Sequence, residues 1–266
     1  RRSSDLVSGM QLGDELYGYS NDGSVSFTLS EVVARKVWNH FYVPYIRGYY
    51  VKTGRFSSDD AKTGTVMAYT GSTAGAAYFP MTVTYSASHV KAIEPLVLPY
   101  PTYEEGEKVA IQQGAGMCIT QSDEAHEYAS ALFLKWFTSA EQNIRFAVST
   151  GYFPVENQAQ DESLILAQLD ENREGAPAIK ESIKATQEMI RTYTLYNSKP
   201  FQGSFEMRTL LETHLFSKVG RDLEVLNASG TSEEERVKTI ELLTSDDAFD
   251  AWYADLNEAA KTILGR

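Results

Sequence analysis

Residues 116–137 open with Gly116-Met117-Cys118-Ile119-Thr120, pass through Gln121 to Ser122-Asp123-Glu124, and continue with Ala129, Leu132, Phe133, Trp136 and Phe137. The first five residues are β-prone and predict a strand. Ser122-Asp123-Glu124 supplies an N-cap and two acids, which satisfy the orphan amides of a helix start and complement its dipole. The apolar positions that follow recur at helical spacing. They predict one helix over 122–138 with Leu132, Phe133 and Trp136 buried on a single face. A few such strands among many helices indicate an α/β chain.

Working outward, Ser139-Ala140-Glu141-Gln142 has the spacing of a capping box, Ile144, Ala147 and Val148 give the next helix a buried side, and Gly151 stops it. Upstream, Thr65 to Thr70 reads as a short strand that ends in the small residues Gly71-Ser72-Thr73-Ala74-Gly75-Ala76. Residues 93–101 are extended and proline-punctuated. Val33, Ala34, Val37, Trp38 and Phe41 form a helical stripe, whereas residues 1–30 are polar and broken by Gly9, Gly13, Gly18 and Gly23. Past Pro154 nearly everything reads as helix. One helix centres on Met207, Leu210, Leu211 and Leu215, one starts at Ser232, and the last carries Phe249, Trp252, Leu256, Ala260 and Ile263.

Composition narrows the function classes. The 266 residues carry 36 acidic and 24 basic side chains, a formal net charge of -12. That surface repels phosphate backbones and anionic headgroups, which argues against nucleic-acid and peripheral membrane binding. Cys118 is the single cysteine, so an intrachain disulfide is impossible. Its β-prone surroundings predict a buried, inert thiol. No apolar run approaches the roughly 20 residues of a membrane helix.

The residues that carry catalysis are not arranged for it. His40, His89, His126 and His214 form no zinc-ligand spacing, and no Cys-x-x-Cys occurs, so no metal site is expected. Gly71-Ser72-Thr73-Ala74-Gly75 has the wrong interval for a hydrolase nucleophile turn. Gly114-Ala115-Gly116 is too short for a dinucleotide or phosphate loop. The acid pairs Asp59-Asp60, Glu104-Glu105 and Asp246-Asp247 sit where acids solvate turns or cap helices. Sixteen Tyr, 12 Phe and 3 Trp favour a carbohydrate ligand, because rings stack on sugar faces while tyrosine hydroxyls bond at the edges. Trp38, Trp136 and Trp252 all fall on helix stripes and are expected in cores.

Five ordered segments carry a family resemblance: Gly64 to Ser72, Pro95 to Pro101, Gly114 to Ser122, Ala131 to Ser139, and Ser149-Thr150-Gly151-Tyr152-Phe153-Pro154-Val155. Together they resemble the family 1 extracellular solute-binding proteins of ABC importers, which include maltose-binding and glycerol-3-phosphate-binding proteins. The likeness extends more weakly over 30–63 and 200–264, and residues 1–29 match nothing specific.

The resemblance implies a periplasmic-binding-protein-like type II fold, α/β and two-lobed, with a helix-rich C-terminal lobe. It assigns residues 1–100 to the second lobe, 101–150 to a segment returning to the first, and 151–266 to the helical remainder of the second. Most of the first lobe is missing from this pattern, so the resemblance implies a chain lacking its N-terminal part. It further implies a non-enzymatic, monomeric bacterial lipoprotein, extracellular or periplasmic and lipid-anchored. Such a protein binds a sugar or polyol and serves ABC permease subunits, without cofactor, metal or nucleic acid.

Site residues carry over at Ser72 and Thr73 in a cleft loop, at Gly114, at Tyr152, and at Arg208 with Gln202, Gly203 and Ser204 before it. Their plainer readings stay open: Gly114 as a strand bulge, Tyr152 as a packed ring, Arg208 as a surface salt bridge. Ser72, Thr73 and Ala74 stand where the maltose binder bears a tryptophan, which favours a smaller or more polar ligand than a maltodextrin. Glycerol 3-phosphate or another polyol phosphate is the alternative ligand, for which Arg208 would offer a two-donor fork. A sugar-acting hydrolase needs two carboxylates across a cleft, and no acid here is placed to serve as one.

Overall fold

The computed structural model describes residues 4–114, 116–170, 175–228 and 232–265, so Ala115 of the glycine segment and the Arg1-Arg2-Ser3 start lie outside the described residues. Helix α1 (Ser4–Gln11) precedes a hairpin of β1 (Tyr17–Tyr19) and β2 (Val25–Phe27). Helix α2 (Glu31–Val37), a π-helical turn (Trp38–Tyr42), α3 (Val43–Ile46) and α4 (Ser57–Lys62) follow. A 3₁₀ turn (Thr73–Tyr78) leads to a second hairpin, β3 (Thr82–Ser86) with β4 (His89–Ala92), and then to β5 (Val109–Ile111). Next come α5 (Glu124–Phe137), α6 (Ala140–Thr150), α7 (Glu162–Ala167), α8 (Ala176–Thr192) and β6 (Thr194–Tyr196). Helices α9 (Ser204–Ala228), α10 (Glu233–Leu243) and α11 (Asp246–Leu264) end the chain, giving the helix-rich α/β character expected.

The chain forms two compact units. The first holds residues 1–51, 102–111 and 194–266, and the second holds 52–101 and 112–193. Passages between them fall after residues 51, 101, 111 and 193.

The first unit is organised around Trp38. The stripe Val33, Ala34 and Val37 is buried as its spacing predicts, and Ser30 caps α2 by accepting the Val33 amide. The helix then widens by one residue over Trp38–Tyr42, where the Val43 amide reaches back to the Trp38 carbonyl. Pro44, which has no amide to close the next α-helical bond, sits just beyond. Trp38 and Tyr42 stack at 3.8 Å, and Phe249 and Trp252 of α11 close around them. The Tyr42 hydroxyl donates to Asp222, so burial and that carboxylate push it well above the usual phenol range. Parallel strands β5 and β6 pair Val109 with Thr194, Ala110 with Leu195 and Ile111 with Tyr196.

In the second unit, α6, α7 and α8 enclose Ile144, Val148, Ile165, Ile179 and Ile183. Its start is fixed by a buried carboxylate: Asp60, only 2% exposed, accepts the Gly54 amide at 2.8 Å, the Thr53 amide and the Thr53 hydroxyl. The Thr53 hydroxyl bond, followed by these backbone amides, outweighs burial and holds the Asp60 carboxyl below its ordinary range. Because the folded value is the lower one, this contribution is complete above about pH 4, where the unfolded carboxyl is ionised, and fades as pH falls further. Asp60→Asn is therefore expected to cost roughly 1–3 kcal/mol at pH 7 and to flatten the acid side of the stability profile. Urea titrations from pH 3 to pH 7 measure both, and parallel profiles for the two proteins would dismiss the clamp.

Several expectations are corrected. Residues 65–70 form no strand, and the Met67 side chain is fully exposed. Residues 116–120 are irregular, pair with no described strand and leave Cys118 exposed instead of buried. The helix at 122–138 exists as α5 with Asp123 as its cap, accepting the Ala125 and His126 amides. None of its residues is buried: Leu132, Phe133 and Trp136 are 49%, 52% and 54% exposed. Periodicity fixes which residues share a face, but a face is buried only where another element covers it. Ser139 caps α6 without the predicted reciprocal bonds, since its hydroxyl donates to the Trp136 carbonyl at 2.7 Å.

Candidate functional site

The residues singled out by sequence fall into two groups, one in each unit. Ser72, Thr73, Gly114 and Tyr152 belong to the second unit, and Gln202, Gly203, Ser204 and Arg208 to the first.

In the second unit a single glycine brings Thr73 and Tyr152 together. Gly151 ends α6 with φ +80° and donates its amide to Ala147, a left-handed cap that favours glycine. A Cβ there would lie 3.0 Å from both the Thr73 carbonyl oxygen and the Ala74 Cα, so backbone meets backbone at this point. Ser72 starts the 3₁₀ turn, its hydroxyl accepting the Ala74 amide at 3.3 Å. Thr73 and Tyr152 then line one cavity with Phe153, Ser182 and Thr186. Its volume is about 10 Å³, no more than one water needs, so it is a packing seam and not a sugar pocket. Tyr152 itself is exposed, and its ring lies 6.3 Å from that of Phe146. Gly114 stands apart in an exposed segment, where a Cβ would meet nothing within 4 Å.

In the first unit the group sits at the entry of α9. Gly203, at φ +88°, turns the chain against Ile263 of α11, and the Met207 amide bonds back to the Gly203 carbonyl at 2.9 Å. Met207 is fully buried and fixes the rotation of α9, which leaves the adjacent Arg208 on the exposed side. Gln202 is exposed as well, whereas Ser204 is half-buried.

Beside this entry is an aromatic cluster that the sequence reading missed. Phe201 lies 4.9 Å from Tyr17 and 6.2 Å from Tyr19, and Lys199 stands 5.1 Å over the Tyr19 ring. Burial, then the neighbouring Tyr19 and Tyr196 hydroxyls, push the Tyr17 phenol far up, and the Arg208 guanidinium pulls the other way. Arg208 is thus within electrostatic reach of the Tyr17 phenol. A signal for the hairpin was present in Asn21-Asp22-Gly23 between two short aromatic runs, a turn sequence that sets Tyr17 and Tyr19 on one strand.

Among the described residues, no group of three or more His, Cys, Asp or Glu side chains is placed to hold a metal ion, and no helix is long and apolar enough to cross a membrane. No curated protein and no solved structure matches the chain. The family model described as bacterial extracellular solute-binding protein matches residues 5–193. That span takes in the Thr73–Tyr152 seam and the β1 aromatics and covers well over half of the sequence, so this chain belongs to the bacterial extracellular solute-binding proteins.

Proposed function

We propose that the chain is the substrate-binding component of an ABC importer that captures a carbohydrate and delivers it chemically unchanged. Membership of the family carries the general part: a small-molecule ligand, ABC permease partners, and an extracellular or periplasmic location. The carbohydrate part rests on Arg208, exposed one turn into α9, and on the Tyr17, Tyr19 and Phe201 cluster at the entry of that helix. A guanidinium and several phenols offer the mixture of donors and acceptors that sugar hydroxyls require.

The reading includes a type II, two-lobed receptor, monomeric and lipid-anchored, whose first-lobe α/β layer lies outside these 266 residues. Two features of the second unit support that layer. Helix α5 exposes Tyr128, Leu132, Phe133 and Trp136, and the β-prone residues 116–120 before it have no strand partner among the described residues. Water-exposed aromatic side chains on an unburied helix are what remains when a helix lacks the sheet it packs on.

A thermal-shift screen with mono- and disaccharides, followed by calorimetry and chromatography of the recovered ligand, tests the proposal. Saturable stabilisation with the sugar recovered intact is expected, and a hydrolysed product would replace the receptor by an enzyme. Arg208→Ala is expected to weaken binding about ten- to a hundredfold, since a hydrogen bond to a charged group contributes roughly 1.5–3 kcal/mol. The fold should survive, because Met207, Leu210 and Leu211 do the packing on that helix. Equal affinity in the variant would take Arg208 out of the site.

A further inference from the structure

Two buried polar atoms in the core of the first unit are unmatched, and their chemistry is complementary. The Trp252 indole Nε1 and the His214 Nδ1 have no hydrogen-bond partner among the described residues. Trp252 lies on α11, is 4% exposed and packs against Trp38 and Phe249. His214 lies on α9, and its side chain is 16% exposed. Its other ring nitrogen, Nε2, is 2.9 Å from the Asp255 carboxylate on α11. An ionised carboxylate only accepts, so Nε2 carries the proton, and in the neutral ring Nδ1 is then an acceptor. An indole N–H only donates. One buried donor and one buried acceptor therefore remain, on neighbouring rings of two packed helices.

We infer that His214 and Trp252 hold one buried water molecule, which accepts from the Trp252 Nε1–H and donates to the His214 Nδ1. A water bonded to two nitrogens spans about 5–6 Å between them, and the ring centroids are 6.5 Å apart. Buried polar atoms nearly always find a partner, because each one left without costs stability. Two polar partners are enough to order a buried water. A cation would suit only the Nδ1 and an anion only the indole N–H, whereas water serves both.

The result is a polar chain that runs from Asp255 of α11 to His214 of α9 and back through the water to Trp252. The contacts around it, from Leu215, Val219, Phe249 and Leu256, are apolar and non-directional. Hydrogen bonds fix distance and angle, so this chain sets the register of α9 against α11. Arg208 precedes His214 on the same helix, and the water site stands whether or not Arg208 meets a ligand.

NMR of the 266-residue chain with isotope-labelled histidine and tryptophan tests this at about pH 8, above the ordinary imidazole range. Trp252→Phe identifies the Trp252 indole signal. That indole proton is expected to show a nuclear Overhauser contact to a long-lived water, and His214 to appear as the neutral ring protonated on Nε2. His214→Leu should abolish the water contact and raise the unfolding equilibrium constant in urea roughly five- to a hundredfold. Asp255→Ala should turn His214 into a mixture of both neutral tautomers, a change in its nitrogen signals that lost packing alone would not produce. If His214→Leu fails to fold, the wild-type and Asp255→Ala spectra decide by themselves. No water contact at the wild-type indole, or a proton on the wild-type His214 Nδ1, overturns the water site. Unchanged His214 signals in Asp255→Ala overturn the chain through Asp255.

Discussion

Gly151→Ala is expected to destabilise the second unit by roughly 2–4 kcal/mol, which corresponds to a fall in Tm of about 5–15 °C. Two costs add. The left-handed φ of +80° is strained for any L-residue, and the new methyl would sit 3.0 Å from the Thr73 carbonyl and the Ala74 Cα. Neither neighbour is the end of a flexible side chain, so the loop must move as a whole. That displacement also separates Thr73 from Tyr152, two sequence-predicted site residues that share a cavity. Gly220→Ala is the counterpart: this glycine lies inside α9 with open space at its Cβ, and the change should stabilise by up to about 1 kcal/mol. Calorimetric scans of both variants check the pair. An unchanged Tm for Gly151→Ala would mean that the α6 cap is not built as described.

Trp38→Ala should be the most damaging change in the first unit, at roughly 3–5 kcal/mol. Its ring is 1% exposed, stacks on Tyr42 and meets Phe249 and Trp252, so its removal opens a cavity at the centre of α2, α9 and α11. The matched comparison is Trp136→Ala. Trp136 is 54% exposed on α5 and should cost no more than about 1 kcal/mol in this chain. Urea midpoints of the two variants give the difference directly. A large loss from Trp136→Ala would show that the face of α5 is covered in solution.

That contrast also marks how far the sequence carries. Trp38, Trp136 and Trp252 occupy equivalent places in three apolar stripes, and all three predict a core position. Two of them are buried and one is not. In the same way the resemblance gathered Tyr152 and Arg208 into one set of candidates, but gave no weight to residues 1–29. Tyr17 and Tyr19 lie there, and they reach Phe201, nearly two hundred residues away, only once β1 and α9 are folded.

Helix positions, their caps and their stop at Gly151 follow from side-chain spacing and local backbone chemistry, which act over a few residues and are written in order along the chain. The solute-binding family is legible for the same reason, because its motifs are short and consecutive. Which faces are covered, that Asp60 gathers its donors from Thr53 and Gly54, and that Tyr17 and Tyr19 meet Phe201 were decided by tertiary structure alone. Those features depend on contacts between segments far apart in the chain or on the direction a side chain takes, and periodicity contains neither.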